Sequence, residues 1–191
     1  MYDAIADPYC YESTTVLKNI PDLRDQAALD EFETALAVQR ADEPLPVGRF
    51  GVTHYQAIHH HLFQDTYTWA GKFRTVRISK DGSAFCYPEN IAQEMKRVFG
   101  GLKERKYLRG LSREAFASEA AAFLSTLNAI HPFREGNGRT QTVFVTLLAN
   151  RAGHPLDLSK LEPEAFLAAM VASFKGNDVP LERQFLRLAA S

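Results

Sequence analysis

Residues that could perform phosphoryl chemistry lie within nine positions, from His131 to Arg139. His131 can act as a general base, because an unperturbed imidazole titrates close to neutral pH. Glu135 supplies a hard carboxylate oxygen of the kind that Mg²⁺ prefers. Arg139 carries a planar guanidinium that matches phosphate oxygens. A base, a metal ligand and a phosphate-binding cation at this spacing indicate phosphoryl or nucleotidyl transfer.

The tripeptide Gly136-Asn137-Gly138 stands between these groups, just before a predicted helix. Glycines let the backbone approach a ligand closely, and the N–H groups at a helix start favour an anion. Taken singly, each feature has an ordinary explanation: a structural histidine before a proline, a solvated loop carboxylate at Glu135, a simple Gly-Asn-Gly turn. A connection between two helices does not need all of them together, so we interpret the run as a site. Phe133 is assigned to the core.

The hydrophobic pattern predicts a mostly helical chain. Pro132 disfavours the helical region at His131, so the preceding helix should end there and present the imidazole from a loop. The first helix should bury Leu29, Phe32 and Leu36 on one face. The predicted helices cover about residues 26–40, 53–63, 91–104, 113–130, 139–152, 162–174 and 181–189.

One segment, residues 73–87, follows a different pattern. Val76 and Ile78 alternate with polar residues, Lys80-Asp81-Gly82-Ser83 is typical of a turn, and Ala84 to Tyr87 returns. This predicts a β-hairpin, which must pack on helices because an isolated hairpin is marginally stable. The fold class is therefore all-α with one β-hairpin, and residues 1–191 are expected to form a single domain.

Composition narrows the function further. Hydrophobic residues make up 46% and charged residues 24%, which is typical of a globular protein, and the net charge of -1 favours neither nucleic acid nor a membrane surface as a partner. Cys10 and Cys86 form no CxxC pair, and residues 1–11 lack the pattern of a signal peptide. We expect a cytoplasmic protein, either of the producing cell or of a host cell after secretion.

Neither a zinc site nor a P-loop is indicated by the sequence. His59-His60-His61 contains no pair at i,i+3 or i,i+4, the spacings that place two imidazoles on one helix face, so zinc is not expected. His59 is interpreted as a packing residue. The chain contains no Walker A sequence, which excludes a P-loop nucleotide site.

The run from His131 to Arg139 resembles the motif H-P-F-x-[D/E]-G-N-G-R-x-x-R, which defines the Fic (filamentation induced by cAMP) family. A second segment resembles the family's I-H-x-x-L-F-x-x-x-Y-x-W-A-G-x-x-R; its matching residues are Ile58, His59, Leu62, Phe63, Tyr67, Trp69, Ala70, Gly71 and Arg74. The resemblance covers about residues 50–155. It implies the Fic fold, a helical bundle with one β-hairpin flap, in which residues 50–155 form the core. Residues 1–45 then form an amino-terminal arm and first helix, and 156–191 the carboxy-terminal helices.

The resemblance also implies roles. His131 would take the proton from a target Ser, Thr or Tyr hydroxyl, whose oxygen would attack the α-phosphate of ATP and expel pyrophosphate. Glu135 would hold Mg²⁺, and Arg139 would hold the β-phosphate side. Gly136, Asn137 and Gly138 would form an anion hole. The hairpin would be a flap on which an extended segment of the target protein docks by strand addition. Its docking residues would be Val76, Arg77, Ile78, Ser79, Lys80, Asp81 and Gly82.

The sequence departs from the family pattern at Thr142, where relatives carry a second arginine that grips the γ-phosphate. The inhibitory-helix pattern [S/T]-x-x-x-E-[G/N] of many relatives is also missing, so restraint is expected from a separate small antitoxin chain. Two alternatives stay open: a Fic-fold transferase with another donor, such as UMP or phosphocholine, and a catalytically weak nucleotide-binding protein. Phosphate-donating Doc-type relatives carry lysine where this chain has Gly138, which argues against that branch.

Overall fold

A computed structural model describes residues 7–80 and 83–189 of the chain. It confirms the all-α class with one hairpin. The helices are α1 (Gln26–Asp42), α2 (Val52–Phe63), α3 (Pro88–Glu104), α4 (Arg113–Ile130), α5 (Asn137–Ala152), α6 (Pro163–Phe174) and α7 (Val179–Leu188). A left-handed turn lies at Lys106–Leu108 and a short 3₁₀ turn at Leu158–Lys160. Within the described ranges, no helix is both long and apolar enough to cross a membrane.

The described residues fall into two compact units. The first contains those of Met1–Ala92 and His131–Thr140, and the second those of Gln93–Ile130 and Gln141–Ser191. The single domain expected for residues 1–191 stays a prediction. Every candidate residue from His131 to Arg139 belongs to the first unit.

In the second unit, α4 packs against α6 and α7. Its predicted apolar face is buried throughout, as the helical period requires: Phe116, Ala120, Phe123, Leu127 and Ile130. The hydroxyl of Ser112, just before the helix, accepts a hydrogen bond from the Ala115 N–H at 3.3 Å. This unit therefore has an apolar core of its own.

In the first unit, α1 packs against α2. The carboxylate of Asp25 caps α1 by accepting from the Ala28 N–H at 2.9 Å. The predicted face of α1 was wrong in detail, because Leu29, Glu33 and Ala37 are the buried residues while Phe32 and Leu36 are half-buried. A carboxylate thus stands in the centre of the face that this helix buries.

The hairpin is shorter than predicted. Strands β1 (Ser79–Lys80) and β2 (Ser83–Ala84) pair antiparallel, and the Phe85 N–H donates to the Ile78 carbonyl at 3.2 Å, which extends the pairing by one step. Val76 and Arg77 lie outside the strands, and Asp81 and Gly82 lie outside the described residues. Buried Ile78 and Phe85 face the interior of the unit.

Candidate active site

His131 follows directly on the last residue of α4, as Pro132 predicts. Its backbone is left-handed, with φ +49°, a conformation that residues other than glycine seldom adopt. The imidazole is buried and stacks on the ring of Phe85, with ring centroids 4.0 Å apart and planes 23° apart. Phe85 directly follows β2, so the imidazole of His131 packs against the hairpin.

Arg74 connects the same loop to the hairpin through hydrogen bonds to backbone carbonyls. Its Nε donates to the His131 carbonyl at 2.8 Å. One terminal nitrogen donates to Val76 and the other to Cys86, each at 2.6 Å. The backbone N–H of Arg74 donates to the Pro132 carbonyl at 2.9 Å. The side chain is only 2% exposed, so these bonds are shielded from water.

His59 supports the loop from α2. Its Nδ1 accepts a hydrogen bond from the Gly71 N–H at 2.8 Å, so its Nε2 is the protonated nitrogen that donates to the Glu135 carbonyl at 3.0 Å. Burial lowers the pKa of His59 to about 3, so the ring is neutral near pH 7. The ring also stacks on buried Phe133, 3.7 Å between centroids. The packing interpretation of both residues is confirmed.

The remaining histidines of the trio also bond to backbone carbonyls. His60 Nδ1 lies 3.2 Å from the Ala70 carbonyl oxygen, and His61 Nε2 lies 2.7 Å from that of Arg40. In the part of the chain that the structure describes, no group of three metal-binding side chains comes together.

Asn137 begins α5, two residues earlier than predicted. Its side-chain oxygen accepts from the Phe133 N–H at 3.0 Å, and its amide nitrogen donates to the Phe133 carbonyl at 2.8 Å. The left-handed Gly136, with φ +79°, turns the chain so that the helix starts at once. Because the side-chain amide of Asn137 forms hydrogen bonds within the loop, we expect Asn137 to contact a ligand through its backbone.

The two glycines of the motif differ in their surroundings. A Cβ added at Gly136 would lie 2.4 Å from Cε2 of Phe63, so the buried ring of Phe63 or the backbone would have to shift. A Cβ added at Gly138 would meet no heavy atom within 4 Å, and Gly138 is exposed. The N terminus of α5 is therefore packed closely on one side and open at Gly138.

Glu135 and Arg139 surround this helix start with opposite charges. Glu135 accepts the Gly136 N–H at 2.9 Å, and burial, reinforced by the negative charge of Glu33, raises the pKa of its carboxyl. Arg139 forms an ion pair with Glu33, and its guanidinium lies 4.7 Å above the ring of Phe63. The arginine predicted to bind phosphate thus has a carboxylate partner within the chain.

Sequence reasoning missed Glu33. One of its carboxylate oxygens accepts from the hydroxyl of Tyr67, while the other pairs with Arg139. Burial raises the pKa of the Tyr67 phenol, and the negative charge of Glu33 raises it further. The available signal was a glutamate at i+4 from Leu29 and i−4 from Ala37, since a charged residue between two buried positions of one helix face needs a partner.

Arg134, the variable residue of the motif, is occupied structurally. Its guanidinium donates to Asp7 at 2.7 Å, and both side chains are buried, 5% and 8% exposed. Two residues after Asp7, the ring of Tyr9 packs edge-on against Trp69, and the Tyr9 hydroxyl accepts from the Thr75 N–H at 3.2 Å. The amino-terminal segment therefore contacts both the motif loop and the start of the hairpin.

The outer side of the hairpin is polar. Arg77 is exposed, lies 4.2 Å above the ring of Tyr87 and pairs with Glu89 at 3.5 Å. Ser79 is half-buried and Lys80 exposed. Of the docking residues expected from the resemblance, these present side chains outward, whereas Ile78 is a core residue.

Comparison with known proteins places this geometry in a family. A Fic/DOC family model matches residues 49–149, more than half of the chain. A probable protein adenylyltransferase of Sinorhizobium fredii is 51% identical over 98% of both chains. The chain belongs to the Fic/DOC family. This Fic protein is also 32% identical to a probable protein adenylyltransferase Fic of Escherichia coli, over 96% of this chain and 92% of that one.

A solved structure shares the fold. It is BepC, a VirB-translocated effector protein of Bartonella tribocorum with bound AMPPNP, which superposes with a TM-score of 0.84 at 30% identity over 95% of this chain and 96% of that one. The N-terminal FIC domain of Bep8 from Bartonella sp. 1-1C superposes with a TM-score of 0.88 at 28% identity, over 95% of this chain and 94% of that one, which confirms the expected Fic fold.

Proposed function

We propose that this Fic protein transfers AMP from ATP to a hydroxyl side chain of a target protein, with His131 as the general base. The chain is a nucleotidyltransferase by its relatives, which are named protein adenylyltransferases at 32% to 51% identity over most of its length. One observation carries the residue-level proposal: a single short loop holds a fixed imidazole at one end and an open helix N terminus, at Gly138, at the other.

In the proposed reaction His131 removes the proton of the target hydroxyl. The oxygen then bonds to the α-phosphorus of ATP while the bond to the β-phosphate oxygen breaks, so AMP stays on the target and pyrophosphate leaves. A histidine suits this task because its ordinary pKa lies near the working pH. Stacking on Phe85 and the left-handed backbone fix its orientation before substrate arrives.

The donor's phosphates are proposed to lie at the start of α5. A helix N terminus favours an anion, and the open space at Gly138 lets phosphate oxygens approach the backbone. Arg139 would bind the β-phosphate side after exchanging Glu33 for the donor. The AMPPNP bound to BepC supports a nucleoside triphosphate as the class of donor.

The surroundings of Glu135 fit a divalent cation. Its carboxylate is buried beside a second carboxylate, Glu33, and both effects make its negative charge unfavourable unless a cation balances it. Mg²⁺ is commonly bound by one or two protein carboxylates together with substrate phosphates, so one carboxylate from the protein is sufficient. We propose Glu135 as that ligand. Bound Mg²⁺ would offset negative charge on the donor's phosphates.

The hairpin and a second chain complete the proposal. An extended segment of the target would add to the hairpin, with main-chain hydrogen bonds setting its register. A separate small antitoxin chain would restrain the enzyme, because the inhibitory-helix pattern does not occur in these 191 residues. Co-expression with neighbouring small open reading frames tests the second point: rescue of growth by one of them supports it, and rescue by none contradicts it.

The decisive experiment uses ATP labelled at the α or the γ phosphate, incubated with lysate and either the wild type or His131→Ala. His61→Ala is the matched control, since the His61 Nε2 bonds to the carbonyl of Arg40 and not to the motif loop. Protein labelling from the α position that is lost in His131→Ala alone supports AMP transfer. Labelling from the γ position indicates a phosphate donor instead. Binding of ATP without transfer of either label indicates a nucleotide-binding protein.

A further inference from the structure

We infer that Arg74 and Phe85 are positioning residues that hold the His131 imidazole in a fixed place relative to the flap, so that a target docked on the hairpin is aligned with the base. The inference deepens the proposed function and rests on it. Neither residue contacts the donor in the proposal; both act through His131 and the hairpin.

Arg74 fixes three segments at once. Its guanidinium donates to carbonyls of the motif loop at His131 and of the hairpin's two sides at Val76 and Cys86. Hydrogen bonds from a charged donor are stronger than neutral ones, and burial keeps water from replacing them. A lysine carries one ammonium on a flexible stem and cannot reproduce a fork aimed at three carbonyls.

These bonds act on a backbone that needs support. His131 is left-handed at φ +49°, and such a conformation persists only where the surroundings hold it. The Nε of Arg74 binds the carbonyl of His131, and the backbone N–H of Arg74 binds that of Pro132. Arg74 therefore holds the peptide unit that directly follows His131 and the next one, after Pro132, which fixes the backbone from which the imidazole projects.

Phe85 fixes the plane of the imidazole itself. The rings stack at 4.0 Å, and Phe85 is tied to the hairpin because its N–H donates to Ile78. The hairpin has only two residues in each strand, which would be marginally stable alone. Its position is consequently set where Arg74 and Phe85 attach it to the loop. A shift of the flap would carry the imidazole with it or break the stack.

The inference predicts a specific kinetic signature. Relaxing either attachment displaces the base from the target hydroxyl, and a misplacement of about 1 Å costs roughly 100-fold in rate. We expect AMP transfer to fall about 10-fold to 100-fold in Arg74→Lys and Phe85→Leu. The amount of target needed for half-maximal labelling should rise as well. The Kd for AMPPNP should stay within about twofold, since the exchanges at Arg74 and Phe85 leave the start of α5, where the donor is proposed to bind, unchanged.

The test uses the full chain with two matched controls. Arg97→Lys makes the same exchange at an exposed arginine paired with Glu94, and Phe99→Leu removes the same volume from the core formed with Phe123 and Phe144. Each variant is assayed for its thermal midpoint, for AMPPNP binding and for incorporation of α-labelled AMP into lysate protein at graded lysate concentrations. Transfer lost in the two test variants, with AMPPNP binding kept, supports the inference.

An NMR measurement makes the result independent of activity. Stacking on Phe85 shields the ring C–H protons of His131, and both test variants should lose that shielding while both controls keep it. If Arg74→Lys folds and leaves the His131 resonances and the transfer rate unchanged, the inference fails. If transfer and AMPPNP binding fall together, Arg74 is merely structural and the inference also fails. Should Arg74→Lys not fold, Phe85→Leu decides by the same readouts. A wild type that shows the shielding but transfers no AMP overturns the proposed function alone.

Discussion

The carboxylate of Glu33 forms an ion pair with the guanidinium of Arg139 although the two residues lie more than 100 positions apart in the sequence. Glu33 comes from α1 and Arg139 from the first turn of α5. Arg139 is 39% exposed at its side chain, whereas Glu33 is 9% exposed and also accepts from Tyr67. The carboxylate of Glu33 therefore pairs with Arg139, the cation that we propose binds the donor's phosphate.

Glu33→Gln should strengthen the binding of ATP. The exchange keeps the volume of the side chain and an acceptor for Tyr67, but it removes a negative charge that competes with phosphate for Arg139 and repels it. We expect the Kd for AMPPNP to fall about threefold to tenfold, as measured by calorimetric titration. This corresponds to roughly 0.7 to 1.4 kcal/mol.

Glu31→Gln is the matched control for that measurement. Glu31 is exposed on the same helix, so removing its charge changes the Kd little in a salt-containing buffer. A higher Kd for AMPPNP in Glu33→Gln than in the control would show that Glu33 orients Arg139 for the donor and does not compete with the donor for Arg139.

Gly136→Ala and Gly138→Ala should have opposite effects. At Gly136 the added methyl would lie against the ring of Phe63 in a left-handed backbone, so we expect a loss of at least about 2 kcal/mol in the free energy of unfolding. At Gly138 nothing obstructs the methyl, and alanine favours a helix, so stability should be kept or rise by up to about 1 kcal/mol.

Donor binding separates the two glycine variants further. The methyl at Gly138 would take up the space through which phosphate oxygens approach the backbone, so we expect the Kd for AMPPNP to rise about tenfold in a fully folded protein. Chemical denaturation and calorimetric titration of both variants check this. Unchanged AMPPNP binding in Gly138→Ala would place the donor away from the start of α5.

Local patterns in the sequence were sufficient to place the helices within a few residues, to predict the buried face of α4 and to find the motif loop. The period of Phe116, Ala120 and Phe123 predicts the face that α4 buries, and Pro132 predicts where α4 ends. These are short-range effects, in which side chains three or four positions apart or a proline ring act on the neighbouring backbone. The loop residues are contiguous, so their proximity required no knowledge of packing.

The partners of the loop could not be predicted in the same way. Glu33 reaches Arg139, and Asp7 reaches Arg134, only because tertiary packing brings distant segments together. The three successive residues with positive φ at Lys106, Tyr107 and Leu108 are a second case. None of these side chains favours the left-handed region, so that turn is imposed by the surrounding fold.

Asp7→Asn should destabilise the protein strongly. The exchange removes the charge of a carboxylate that is buried against the guanidinium of Arg134, and breaking a buried ion pair costs about 3 kcal/mol or more. For a chain of this size the thermal midpoint should fall by roughly 6 to 12 °C in a calorimetric scan. Asp22→Asn, which weakens the exposed pair with Arg24, should leave the midpoint unchanged. Equal midpoints for the two variants would show that the amino-terminal segment contributes nothing to the stability of the motif loop.

The reactivity of Cys10 reports on the same ion pair. The Cys10 Sγ lies 3.6 Å from the Asp7 carboxylate, and burial first, then the charge of Asp7, raise the pKa of the thiol, while Arg134 lowers it. Only the thiolate is alkylated, so in a Cys86→Ser background the rate of reaction with iodoacetamide should reach half its maximum above the usual value of about pH 8.5. Asp7→Asn removes one of the causes that raise the pKa of the thiol, while burial still raises it and Arg134 still lowers it, so the midpoint should move to lower pH and the rate at pH 8 should increase. Asp22→Asn is the control and should not shift the profile. A profile that Asp7→Asn leaves in place would mean that Cys10 does not sense the Asp7–Arg134 pair.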